Sequence, residues 1–245
     1  MSSQPPTREP LTPGAVTPGA VTPDPLLDAF WERGLILFGD RVQEEYGLRT
    51  PVFIDLRHKL YDDLDLLCEL GRALHDKLRG IVAAESSSPV APQQVIGIPD
   101  TATPIALSMA LASRTTSFPL SYGQLRKQPA DYPGGRSGSS SYMGTHDPRR
   151  EITLIDDVMA SGRTKRWALQ QLQENKLKVA RILVAVDRQQ GGDAIVQAQG
   201  CRLYSLYTVS ALIDYYEGSG KIDGAAARSA REHIQSRTFQ PPTPG

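Results

Sequence analysis

Two adjacent carboxylates, Asp156 and Asp157, follow the apolar run Ile152-Thr-Leu-Ile155 and precede Val158-Met159-Ala160-Ser161-Gly162-Arg163-Thr164. A helical pattern from Arg166 to Asn175 comes directly after. A strand, a carboxylate pair at its end and a turn opening a helix together suit a ribose carrying a 5′-phosphate. Backbone N–H groups and the helix N-terminus favour the dianion, and the Ser161 and Thr164 hydroxyls can donate to it. Asp156 and Asp157 repel phosphate but can accept hydrogen bonds from a diol such as ribose O2′ and O3′. Alone, a strand ending in Asp-Asp leaves a receiver-domain acid pocket or a nucleotidase metal site open as other readings.

The rest of the chain must position that turn. With 245 residues, 27 basic and 27 acidic, it is long enough for one sizeable core and has no charge bias toward nucleic acid or an acidic membrane. No apolar run approaches the roughly 18 residues of a membrane-spanning helix. The expectation is a cytoplasmic protein, with no signal peptide and with Cys68 and Cys201 as reduced core thiols. Residues 1–25, Pro-dense and repeating Thr-Pro-Gly-Ala-Val at Thr12 and Thr17, read as a disordered tail, and so do residues 239–245. The domain is expected over residues 26–238.

Within it, short apolar runs alternate with helical patterns. Asp62 or Asp63 can cap a helix carrying Leu64, Leu67, Leu74 and Leu78 at helical spacing. Ala83 to Gln94 reads as a surface loop, Val95 to Ile98 as a buried strand, Pro104 to Ala112 as a helix, and Phe118 to Tyr122 as a strand. Lys127 to Arg150 has no apolar period and reads as a flexible active-site lid or a disordered loop. Further strands fit Ala180 to Val186 and Arg202 to Thr208, and helices fit Asp193 to Gln199, Ser210 to Glu217 and Asp223 to Gln235. The alternation predicts an α/β fold with a central parallel sheet flanked by helices, whose ligand lies beyond the carboxyl ends of the strands.

The Asp156–Thr164 segment resembles the phosphoribosyl-pyrophosphate (PRPP) motif of the type I phosphoribosyltransferases. Other segments resemble, in order, the orotate phosphoribosyltransferases of that class: Gly34 to Asp40, Thr50 to Arg57 (Asp55-Leu-Arg57 included), Gly97 to Ala106, Arg126-Lys127 through Tyr132, and Asp187-Arg188 through Gly192. The similarity runs from about Leu26 to Ser236. Seen alone, Asp55-Leu-Arg57 could be an exposed strand end, Arg126-Lys127 edge-strand protection, and Arg188 a solvated turn residue.

The resemblance implies the type I phosphoribosyltransferase fold with a lid loop and a small N-terminal hood. It implies transfer of ribose 5-phosphate from PRPP to N1 of orotate, giving orotidine 5′-monophosphate and pyrophosphate in UMP synthesis. PRPP would be held by Asp156, Asp157, Val158, Met159, Ala160, Ser161, Gly162, Arg163 and Thr164, together with Thr101, Ala102, Arg126 and Lys127. Asp157, Asp156, Lys127 and Arg126 would be the catalytic residues, Asp157 stabilising an oxocarbenium-like transition state. Arg188, Ser161 and Phe53 would bind orotate. Mg²⁺ would arrive on PRPP and water with no direct protein ligand, and a homodimer is implied because the lid completes the neighbouring site.

Two segments depart from the family. Its lid reads Arg-Lys-x-x-Lys-Asp-(His/Tyr)-Gly, whereas here the second lysine is Ala130 and the glycine is Pro133. Losing such a charged donor costs about 10²–10³ in rate, and Arg136, Arg149 or Arg150 are the candidates to replace it. The family's Lys-Ser-Gly substrate loop is Glu44-Glu45-Tyr46-Gly47, which puts an anion where an anionic base is expected. A non-catalytic PRPP- or nucleotide-binding regulatory protein and a phosphoribosyltransferase for another base therefore stand as alternatives.

Overall fold

The computed structural model describes residues 21–85, 90–127, 141–145 and 147–236. Its centre is a six-stranded sheet. The strands are β3 (Gln93–Gly97), β4 (Leu120–Leu125), β5 (Tyr142–Met143), β6 (Glu151–Met159), β7 (Val179–Asp187) and β8 (Arg202–Thr208), in the order β5-β4-β3-β6-β7-β8. All neighbours are parallel except β5, which runs antiparallel to β4 at one edge. The predicted class is therefore observed: a mostly parallel sheet covered by helices.

Period-2 alternation sends neighbouring side chains to opposite faces. Val95, Ile155, Leu183 and Ala185 enter a core shared with α3 (Leu64–Glu85), α4 (Ala102–Ser113), α7 (Val209–Gly218) and α8 (Gly224–Ser236). Ile96, Leu154, Ile182 and Val184 enter a second core under α5 (Arg163–Glu174) and α6 (Gly192–Gln197). With both faces covered, β3, β6 and β7 are almost wholly buried, which is why they read as continuous apolar runs.

The N-terminal hood consists of α1 (Pro25–Glu32), α2 (Asp40–Tyr46) and an antiparallel pair, β1 (Ile36–Phe38) and β2 (Val52–Ile54). Trp31 and Phe38 pack on Tyr216 of α7, with ring centroids 5.2 and 5.7 Å away. Residues 21–24, assigned to the tail on composition, belong to this packing. Asp24 Oδ1 accepts from the Leu26 and Leu27 N–H groups at the start of α1, and Asp24 Oδ2 accepts from the Tyr207 hydroxyl at 2.8 Å. An N-cap tied to a distant tyrosine holds these residues despite their composition.

Other boundaries differ for local reasons. The proposed loop over Ala83 to Gln94 is partly structured at each end, since Glu85 closes α3 and Gln93 opens β3. Glu85 accepts from buried Arg181 at 3.0 Å, and that guanidinium also reaches Glu151 at 2.6 Å and Gln93 at 2.9 Å. This ion cluster braces the amino end of the sheet, opposite the site. Asp63, whose carboxylate accepts from the Leu66 N–H, caps α3. Leu64 just inside that cap is 67% exposed, so the buried stripe runs through Leu67, Leu70, Leu74 and Leu78 instead. Cys68 also faces outward, and only Cys201 is a buried thiol. The loop proposed between Lys127 and Arg150 contains β5, which extends the sheet by pairing Gln124 with Met143.

Candidate active site

The carboxyl ends of β3, β6 and β7 and the hood strand β2 surround a cavity of about 650 Å³. β6 carries Asp156 and Asp157 to its rim, and the chain turns through Ala160, Ser161 and Gly162 into α5. Gly162 has φ of +74°, which a residue with a Cβ adopts only at a cost, and an added Cβ would lie 3.1 Å from the Gly192 carbonyl oxygen. The tight turn aims the first N–H groups of a twelve-residue helix at the cavity, where they have no partner within the helix. Anion binding follows from that arrangement.

The two carboxylates differ. Asp156 is buried, and its Oδ2 lies 2.5 Å from Nζ of Lys165, a similarly buried ammonium that also donates to the Val158 carbonyl. Burial raises the Asp156 carboxyl well above the usual carboxylate range, against the pull of Lys165 and with the nearby charge of Asp157 adding to the rise. Asp157 accepts from the Val158 N–H at 2.7 Å through Oδ1, while its Oδ2 faces the Arg57 guanidinium at 3.7 Å. Asp156 is thus committed to an internal ion pair, and Asp157 is the carboxylate offered to a ligand.

Around them, Thr101 opens α4 and its carbonyl accepts from the Tyr61 hydroxyl at 2.6 Å. Gly97, at the end of β3, lets α4 approach: a Cβ there would lie 2.2 Å from the Ala102 carbonyl oxygen. Lys127 reaches Asp100 at 3.4 Å across the rim. After β7, Arg188 lines the cavity while its own N–H donates to the Met159 carbonyl at 2.9 Å. The turn beyond is pinned, because Asp187 accepts from the Gln189 N–H and the Gln189 side-chain oxygen accepts from both the N–H and the hydroxyl of Ser210.

Most of the residues named from sequence therefore share one space: Phe53, Thr101, Lys127, Asp156, Asp157, Val158, Ala160, Ser161, Gly162, Arg163, Thr164 and Arg188 all line it. Three do not. Met159 and Ala102 are fully buried, since alternation along β6 and the packing of α4 on Gly97 turn their side chains into the core. Arg126 is not part of the lining, and its N–H pairs with the Ser141 carbonyl across the edge strands.

Sequence reasoning gave no role to Lys165, His58 or Asp100, which all line the cavity. The signal for Lys165 was a charged residue on the α5 stripe that continues through Ala168, Leu169 and Leu172, where an apolar side chain is expected. Asp55 and Arg57, taken only as a signature, line it too.

Two expectations are corrected. Glu44 and Glu45 are absent from the cavity wall; they lie on α2, and Glu45 is neutralised by Lys59 at 2.6 Å and Arg41 at 3.5 Å. Their segment is helical because Gly47, at φ of +65°, ends it in a left-handed cap. Arg149 and Arg150 pair with Asp147 just before β6, a strand-length away from the cavity, so they cannot replace a lid cation. Ala130, Asp131, Tyr132, Pro133 and Arg136 lie outside the described residues.

Among the described residues, no cluster of three or more His, Cys, Asp and Glu side chains could hold a metal ion, and no helix is long and apolar enough to cross a membrane.

No family model matches the chain. It is 30% identical over 189 residues to an orotate phosphoribosyltransferase from Aeropyrum pernix, covering 75% of this chain and 88% of the relative. It is 29% identical over 215 residues to bovine uridine 5′-monophosphate synthase, of whose length the match covers 41%. The crystal structure of orotate phosphoribosyltransferase from Aeropyrum pernix superposes with a TM-score of 0.55 and 27% identity, covering 81% of this chain and 99% of that one. An orotate phosphoribosyltransferase from Mycobacterium tuberculosis, solved in complex with PRPP, shares the fold at a TM-score of 0.51 and 20% identity, covering 77% of this chain and 96% of that one.

Proposed function

Since the chain belongs to the orotate phosphoribosyltransferase family, we propose that its cavity joins ribose 5-phosphate from PRPP to N1 of orotate, yielding orotidine 5′-monophosphate and pyrophosphate. The observation that carries this reading is the meeting of three unlike features in one cavity. These are the Ser161–Thr164 turn for a phosphate, Asp157 for a diol, and Arg188 with Phe53 for a flat, carboxylated base.

The 5′-phosphate would take the N–H groups and hydroxyls of the turn, with Arg163 beside it. Asp157 would accept from the ribose hydroxyls and, as positive charge grows at C1′, stabilise it electrostatically. Asp156 acts beneath it through Lys165: their contact holds the end of β6 and leaves Asp157 as the carboxylate facing the ribose. Thr101 and Lys127 would face the pyrophosphate. The guanidinium fork of Arg188 fits the orotate carboxylate, and Phe53 supplies an apolar face for the ring. The N1–C1′ bond forms as the C1′–oxygen bond breaks, its electron pair leaving with pyrophosphate.

Mg²⁺ belongs to this proposal. A hard cation asks for oxygen ligands, most of them supplied by substrate phosphates and water. No direct protein ligand is required: Asp157 and Asp100 on the wall face Arg57 and Lys127, and would meet the hydrated ion through water. The cation would offset charge on the diphosphate. A homodimer and a cytoplasmic location complete the reading.

The test is to follow orotate absorbance in a mixture of protein, PRPP, Mg²⁺ and orotate. Turnover with orotate, and not with uracil or purine bases, is the expected result. PRPP binding by calorimetry without turnover on any base would instead support a non-catalytic PRPP-binding protein, the reading that Ala130 favours.

A further inference from the structure

Asp55, Arg57 and His58 line the same cavity as Phe53 and Arg188, the residues proposed to bind the base. Asp55 is 7% exposed, and both of its oxygens are engaged: Oδ1 accepts from the Arg57 N–H at 2.8 Å, and Oδ2 meets Nδ1 of His58 at 2.7 Å. Burial alone would raise this carboxyl, but the hydrogen bonds from the His58 ring and the Arg57 N–H outweigh it and hold the group below its ordinary range. Asp55 is therefore an anion and can only accept, so Nδ1 of His58 carries the hydrogen. In the neutral ring the lone pair then lies on Nε2.

The rest of the imidazole is open. The His58 side chain is 80% exposed although its partner is buried, and it lines the same cavity as Phe53 and Arg188. A histidine serving structure alone has little reason to leave its ring so exposed on the lining of a cavity. A carboxylate that fixes the tautomer and supports the imidazolium is the arrangement of a general base.

The proposed reaction has a proton to place. Orotate carries hydrogen on N1, and that hydrogen must leave for N1 to bond to C1′. We propose that His58, oriented by Asp55, accepts the N1 proton of the acceptor base, and this inference rests on the phosphoribosyl-transfer reading above. The N–H bond breaks toward Nε2, the N1 electron pair forms the bond to C1′, and the C1′–oxygen pair departs with pyrophosphate. The imidazolium then returns its proton to water. His58 is the catalytic residue in this step, and Asp55 is a positioning residue.

Several charges face that space. Asp100 and Lys127 come from the β3 and β4 ends, Asp156 and Asp157 from β6, Arg163 and Lys165 from α5, and Arg188 from the turn after β7, with Arg57 next to the histidine itself.

The experiment compares wild type with His58→Gln by steady-state kinetics over pH 5.5 to 9, with PRPP affinity measured separately by calorimetry. Because the ring is exposed, the variant should fold, which a thermal melt checks. The expected result is a kcat about 10²–10³ lower, an unchanged PRPP affinity, and loss of the acidic limb of the pH–rate profile. Asp55→Asn should lower kcat in the same direction and move that limb. An unchanged kcat in His58→Gln overturns the inference, and so does a lowered kcat with the pH profile unmoved. Absence of turnover in wild type strikes out the transfer reading itself, and this inference with it.

Discussion

Removing the ammonium from the Asp156–Lys165 pair should destabilise the fold in a way that depends on pH. In Lys165→Met the side-chain volume is kept, but the buried carboxylate loses a partner at 2.5 Å and the Val158 carbonyl loses its donor. Breaking a buried pair from one side costs about 3–5 kcal/mol, because the remaining charge is uncompensated. Asp156 can escape by taking a proton, and burial already raises its carboxyl above the unfolded value. A carboxyl raised in the fold favours the native state below its unfolded pKa and loses that contribution as pH climbs through the folded one. In the variant, without the opposing pull of Lys165, the rise is larger. The expected loss is therefore about 3 kcal/mol or more at pH 8, but only about 1 kcal/mol at pH 5, where the main loss is the hydrogen bond to Val158. At roughly 2–4 °C per kcal/mol for a domain of this size, the pH 8 melting point should drop by about 6–12 °C. Urea unfolding at the two pH values, with the Asp156→Asn/Lys165→Met double variant as a control that recovers most of the loss at pH 8, measures the effect. Equal destabilisation at both pH values, or a loss below about 1 kcal/mol at pH 8, refutes the reasoning.

Asp157→Asn should lower kcat by about 10²–10³ by removing the charge facing C1′, while thermal stability moves little; a kcat within a factor of three of wild type speaks against that role. Arg188→Ala should raise the KM for orotate by roughly 10- to 150-fold, the worth of a charge-assisted hydrogen-bonded pair, and leave PRPP affinity by calorimetry unchanged. A parallel loss in PRPP affinity would move Arg188 to the other substrate. Gly97→Ala should prevent stable folding, because the new Cβ lies 2.2 Å from the Ala102 carbonyl oxygen; a soluble variant with a wild-type melt contradicts the close approach of α4. A thiol reagent should label Cys68 quickly in the native protein and Cys201 only on unfolding, since one is exposed and the other buried.

How much was legible in the sequence varied with how local the signal is. The buried strands β3, β6 and β7 were visible because two-sided burial makes them apolar throughout, and the turn after β6 because Ser161, Gly162 and Thr164 are specialised. Lys165 was not legible. Its position follows helical periodicity, but its partner is nine residues away on a different element, and only the packing of α5 against β6 brings them together. Glu44 and Glu45 were misplaced because a substrate loop was expected where Gly47 in fact caps a helix, and the neutralising Lys59 belongs to another segment. Residues 21–24 look like tail by composition, but they are held by tyrosines almost two hundred positions away.

That last attachment bears on the order in which the molecule can be made. The Tyr207 hydroxyl donates to the Asp24 carboxylate, the Asp24 N–H donates to the Tyr215 hydroxyl, and the Tyr216 hydroxyl donates to the Leu27 carbonyl, across 183, 191 and 189 positions. Such contacts close only after β8 and α7 exist, and contacts so distant in sequence form late. A nascent chain emerging N-terminus first will have exposed Trp31 long before Tyr216 of α7 arrives to pack on it. The hood strand carrying Phe53 is thus translated before α7 but completed only after it, and the site acquires its lining for the base only once α7 has emerged.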